Sequence, residues 1–222
     1  MKKTSLRGLP QKKITTGVNK LQAAGIDVSR WLAMLNASDA EMQRLASAWP
    51  VFQPSYAYDA VSIFGFGPAS NEPLPEAEPG EIVIRYGGWS LTEIGIYMVG
   101  RELMHEQDWY DRYPWSSEKL PPGTYRLRVP VPDSNRKTFA EQERLLPQGE
   151  QVAPVVLVAT ALLAHRLKAD EDLLNTAWTR CKEQTADGYR VVLGWVEGRL
   201  YVYGNWGDLR HGDLWVSSLR TS

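Results

Sequence analysis

The sequence predicts an α+β fold: N-terminal helices, a central strand–helix unit, a long buried helix and a C-terminal antiparallel β-meander. Three observations carry that expectation. Capping-box spacing precedes helical-period apolar residues at Ser38/Glu41, Ser90/Glu93 and Thr138/Glu141. Residues 152–164 are almost wholly apolar but fall short of the roughly 20 residues needed to cross a bilayer, so they read as a helix enclosed by other elements. The last third alternates with period two between Asp187-Gly188, Glu197-Gly198 and the 205–208 turn, without the strand–helix alternation of a doubly wound sheet.

Taken in order, residues 1–16 hold Lys, Arg, Gly and Pro without an apolar period and read as a basic, flexible arm. The remainder, 17–222, reads as a single α+β domain. Helical text starts at Val18, breaks at Gly25, and resumes after Asp27, a plausible N-cap, as far as Leu35. A further helix follows Ser38, with Met42, Leu45, Ala46 and Trp49 on one face and Pro50 as its stop. Around Ala60 to Phe66 the aromatic, Gly-containing text suggests extended structure.

Residues 67–81 place Pro68, Pro73, Pro75 and Pro79 among four glutamates, a stiff loop and the best internal boundary candidate. Ile82 to Tyr86 then reads as a strand, Gly87-Gly88 as a turn, and Ser90 to about His105 as a helix. Thr124 to Val131 alternates Tyr125, Leu127 and Val129 with two arginines, as on a half-buried strand. A short helix follows Thr138, and Pro154 suits the first turn of the long apolar helix that runs to about Leu167. Residues 177–182, 190–196, 200–203 and 213–219 complete the reading as short strands.

Composition narrows the function classes. At 222 residues with 43% hydrophobic and 23% charged residues, the chain can bury a core without a metal or disulfide staple. Its one cysteine, Cys181, allows no internal disulfide and no Cys-based zinc site, and the text after Lys2-Lys3 lacks the apolar core of a signal peptide. These features lead us to expect a cytoplasmic protein with no cofactor, no metal and no membrane contact. Net charge is −1, but residues 1–67 hold eight basic against four acidic residues, and residues 68–120 four against ten. The basic arm could therefore meet nucleic acid, another acidic surface or the acidic middle of its own chain.

No Gly-x-Ser-x-Gly elbow, P-loop or dinucleotide fingerprint is present. Two clusters could support acid–base or metal-assisted chemistry: His105, Glu106 and Asp108, and the loop set Asp208, His211 and Asp213. The first lacks a second histidine one helical turn on, and the Asp and Gly of the second are also ordinary turn residues. Cys181, inside a strand pattern, reads as a small buried hydrophobe more readily than as a nucleophile.

Nine tryptophans and ten tyrosines are many for this length. Trp109, Tyr110, Tyr113 and Trp115 form one cluster, and Tyr201, Tyr203 and Trp206 another. Such rings either fill a core or supply a contact surface that stacks bases or sugars or anchors a protein. The helix–Gly–helix text of residues 18–36 has a partial likeness to a helix-turn-helix, but Trp31 and Met34 stand where small branched residues usually pack.

Pro121 to Leu146, with its Tyr-x-Leu-Arg and Lys-Thr-Phe-x-Glu-Gln spacing, continues through Val152 to Leu167, Trp178-Thr179-Arg180-Cys181 and Gly194 to Trp206. This text resembles a group of uncharacterised bacterial proteins, over roughly the C-terminal 140 residues. The resemblance implies a bacterial α+β domain and brings no activity, ligand or catalytic residue. Sequence thus favours a non-catalytic binding or interaction domain that uses an aromatic-rich surface, with the basic arm adding electrostatic attraction and a protein, a second copy or a nucleic acid as partner. The alternatives are a hydrolytic enzyme built on either His/acid cluster, and DNA binding through the basic N-terminal helices.

Overall fold

The computed structural model describes residues 55–174 and 176–220. The chain divides into two compact units, Met1–Phe52 and Gln53–Ser222, and the fold below is that of the second. The basic arm, the helix–Gly–helix text and the Ser38/Glu41 capping box lie outside the described residues.

The described elements are α+β, as expected. Strand β1 (Tyr56–Asp59) leads directly into helix α1 (Ala60–Phe64). Residues 60–64 are therefore helical, not extended as their aromatic text suggested. The cause is capping: the Asp59 carboxylate accepts from the Ser62 N–H, and Gly65 closes the helix at φ 79°. Past the Pro/Glu loop, β2 (Ile82–Tyr86) pairs in parallel with β1, so the two strands flanking that loop are neighbours in one sheet. Helix α2 (Leu91–Val99) opens on the predicted Ser90/Glu93 capping box but stops six residues before His105. Gly100 caps it and Glu102 takes a left-handed φ of 58°, turning the chain into an extended segment.

After the short α3 (Pro114–Ser117), strands β3 (Gly123–Arg128) and β4 (Glu150–Val152) flank helix α4 (Phe139–Glu143), whose Thr138/Glu141 capping box also forms. Helix α5 (Val155–Ala169) is the long apolar helix. It is followed by β5 (Trp178–Gln184), β6 (Arg190–Val196), β7 (Arg199–Asn205), β8 (Leu214–Val216) and β9 (Ser218–Arg220). One sheet runs β1-β2-β3-β9-β4 and the other β7-β6-β5-β8.

Strands β5, β6 and β7 form the expected antiparallel meander. The predicted strand 213–219 instead splits at Ser217. Its first half, β8, lies parallel to β5, and its second, β9, joins the other sheet. Ser217 makes the switch possible, because its N–H donates to the Arg180 carbonyl and its own carbonyl accepts from Ala153. A buried crossover between sheets is tolerated when both backbone groups stay bonded.

Helix α5 lies between β1 and β2 of one sheet and β5 and β6 of the other. Every residue from Val155 to His165 is buried, which explains why its text has no polar face. Its few polar groups are satisfied: Thr160 Oγ1 accepts from Trp89 Nε1 at 3.0 Å and donates to the Val156 carbonyl, and His165 Nδ1 lies 2.8 Å from the Tyr58 hydroxyl. Burial pushes the His165 pKa down, which keeps the imidazole neutral in this enclosure. No helix among the described residues is long and apolar enough to cross a membrane.

Candidate functional site

The second sheet has two unlike faces. Toward α5 it presents Cys181, Val191, Leu193, Leu200 and Val202, all buried. Strand alternation puts Trp178, Gly194, Tyr201 and Tyr203 on the other face. Trp178 lies across Gly194, where a Cβ would come within 2.7 Å of the indole, and meets the edge of Tyr201 at 6.3 Å. The glycine is what lets a large ring cross the middle strand.

This face continues into an open groove of about 600 Å³ around the end of β7. Trp109, Arg112 and Tyr113 line it from the segment after α2, Tyr201 and residues 203–206 from β7 and its exit, and Thr185, Asp187 and Tyr189 from the β5–β6 turn. Two aromatic clusters some ninety residues apart in the chain thus meet in one place. Tyr203 and Trp206 are 52% and 54% exposed, so these rings have aromatic surface to offer a ligand. The lining carries one cation, Arg112, and one anion, Asp187.

The rings are held from behind. Trp109 donates its indole N–H to the Val202 carbonyl, and Tyr113 stacks on Trp115 with ring centres 5.6 Å apart. His105 sits edge-on to Tyr201, and Tyr189 packs against Trp206 at 4.2 Å. Arg180 anchors the exit loop of β7. It is fully buried, yet its hydrogen bonds go only to neutral acceptors: Gln142 Oε1 and the carbonyls of Lys137, Trp206 and Leu209. Burial lowers its pKa to about 10, which still leaves it charged at neutral pH. An interior cation on β5 bonded to four oxygens from two other segments, 137–142 and 206–209, fixes all three relative to one another.

The predicted binding residues divide. Trp109, Tyr113, Tyr201, Tyr203 and Trp206 line the groove. Tyr110 is buried in the core, and Trp115, half-buried, lines a separate pocket of about 190 Å³ with Glu118, Lys182 and Glu183. Glu183 is largely buried there, and its Oε2 accepts from the Val155 N–H at the start of α5, where Pro154 offers no capping side chain. Burial pushes its carboxyl up to about 7.

Neither His/acid candidate set lines either of the two pockets described above. His105 bonds through Nε2 to the Val196 carbonyl at 2.9 Å, and its backbone N–H bonds to Leu200, while Glu106 and Asp108 are exposed. His211 Nδ1 bonds to Asp213 Oδ1 on an exposed loop, and neither they nor Asp208 line the groove. Among the described residues no group of three or more His, Cys, Asp or Glu side chains could hold a metal ion. Cys181 is fully buried, and burial raises its thiol pKa well above the ordinary value, the opposite of nucleophile activation.

Arg112, Thr185, Asp187, Tyr189, Gly204 and Asn205 are groove residues that sequence reading did not single out. Of these only Tyr189 carried a signal, as one more ring beside the Asp187-Gly188 turn. No protein-family model, curated protein or solved structure matches this chain.

Proposed function

We propose that the protein is a non-catalytic binding module whose contact surface is the groove at the end of β7. The observation that carries this reading is the convergence of Trp109 and Tyr113 with Tyr201, Tyr203 and Trp206 on one open concavity. Rings with accessible faces, set in a rigid frame, bind at a low entropy cost because little motion remains to be lost. The nearly balanced charge of the lining favours a ligand without strong net charge over a nucleic acid backbone, which calls for a basic groove. DNA binding by residues 1–36 concerns a segment outside the described residues.

The hydrolytic alternative draws less support, since the His105 ring is engaged by a backbone carbonyl and the His211 pair stands on an exposed loop. The test is tryptophan fluorescence of the full chain against panels of peptides, oligosaccharides and oligonucleotides. A saturable change that disappears in Tyr203→Ala and in Trp206→Ala, with both variants folded, supports the groove. Ligand binding that both variants retain unchanged rejects it.

A further inference from the structure

Resting on that reading, the hydrogen bonding of β7 identifies what the groove can take. Strand β7 is the edge of its sheet. Its alternate residues turn their backbone groups outward, and the segment after α2 satisfies them in order. Leu200 donates to the Leu103 carbonyl at 2.9 Å and accepts from the His105 N–H at 3.0 Å. At Val202 the work passes to a side chain: the Gln107 amide donates through Nε2 at 2.9 Å and accepts through Oε1 at 3.0 Å, mimicking one residue of a neighbouring strand.

Two residues on, the period places the N–H and C=O of Gly204 on the same outward side, since Gly204 pairs with Val191 in the register that puts Val202 opposite Leu193. No described residue bonds to either group of Gly204. Gly204 lines the groove, with Trp109 and Tyr113 from the segment that covers the earlier edge and Tyr203 and Trp206 beside it.

We infer that the groove receives an extended peptide segment that adds to the β7 edge at Gly204. One peptide residue exchanges N–H and C=O with Gly204 as the Gln107 amide does with Val202. An unpaired edge position is a ready template for a further strand, and β-strand addition draws affinity from such main-chain bonds and selectivity from pockets for flanking side chains. Here those neighbours are aromatic, so the favoured peptide carries apolar or aromatic residues beside the paired one. A saccharide could stack on the same rings but offers no amide pair to Gly204.

The test selects ligands for the full-length protein from a random octapeptide library, with oligosaccharide and oligonucleotide panels in parallel. The expected result is a peptide that slows hydrogen exchange at the Gly204 amide and weakens about tenfold when a single one of its residues is N-methylated, in line with the loss of one hydrogen bond. Failure to select any peptide overturns the inference, as does ligand capture from the other two panels alone. A peptide that binds without protecting Gly204, yet is lost in Tyr203→Ala, leaves the groove as the contact surface and removes the edge pairing. Peptide binding that Tyr203→Ala and Trp206→Ala both retain removes the groove reading itself.

Discussion

The aromatic side chains on the two sides of α5 sit in opposite environments. Around the first sheet, Phe64, Tyr86 and Trp89 are buried and pack ring against ring over the helix, Phe64 to Trp89 at 5.3 Å and Tyr86 to Trp89 at 4.9 Å. On the outer face of the second sheet, Tyr203 and Trp206 make ring contacts of the same kind but keep half of their surface open. Residue type does not separate the groups. What differs is covering: α1 and α2 help close the first side, whereas the β7 end of the second is left open beside the 109–113 segment. Buried rings contribute stability, and exposed rings held rigid are available for the recognition proposed above.

The contrast is most directly broken from the buried side. Trp89→Ala removes a ring 7% exposed, packed on three other aromatics and bonded to Thr160, so it should lose ~3–5 kcal/mol of unfolding free energy by chemical denaturation. A loss under about 1 kcal/mol would mean that this side is not the closed core its burial indicates. Arg180→Met should follow at ~2–3 kcal/mol, because four oxygens lose a charged donor in the interior. It should also raise quenching of Trp206 by acrylamide, since the Trp206 carbonyl is one of the anchors. Unchanged quenching would show that the loop holds its position without Arg180.

How much of this was legible in the sequence depends on whether the cause was local. The Ser90/Glu93 and Thr138/Glu141 boxes formed because capping involves groups three residues apart. The enclosed helix was readable from its lack of a polar face. The strand expected over 60–66 is instead a helix over 60–64, because the caps at Asp59 and Gly65 outweigh the β-propensity of its aromatic residues. The parallel placement of β8 and the role of Ser217 were not readable, since both depend on which sheet lies within reach. For the site, the rings were visible in the text, but their convergence, the Gln107 mimicry at Val202 and the Glu183 cap on α5 join residues far apart in the chain.

Acidity separates the two sides of the molecule by a smaller effect. His165, under the first sheet, has a lowered pKa, so the unfolded chain binds more protons and stability from this group is lost as pH falls below its ordinary 6.5. Glu183, on β5, has a pKa raised from 4.5 to about 7, so the folded chain binds more protons and stability from this group is lost as pH rises through that interval. Glu183→Gln keeps an oxygen for the Val155 N–H and removes the buried charge. It should be ~1–3 kcal/mol more stable than the parent at pH 8 and little different at pH 4. Equal stabilisation at both pH values would assign the effect to packing instead of ionisation.

The smallest stability effect is expected where the recognition effect is largest. Tyr203 and Trp206 already leave about half of their surface in water, so truncating either forfeits little buried area. Tyr203→Ala and Trp206→Ala should each shift unfolding free energy by no more than ~1 kcal/mol, against several for Trp89→Ala. The carbonyl of Trp206 that holds Arg180 belongs to the backbone and survives the change, so the loop should stay in place. A loss near that of Trp89→Ala would show that the groove rings act as core and that the open face is closed in solution. A loss within the expected bound leaves these rings with a contribution that folding does not account for, which is the property a contact surface requires.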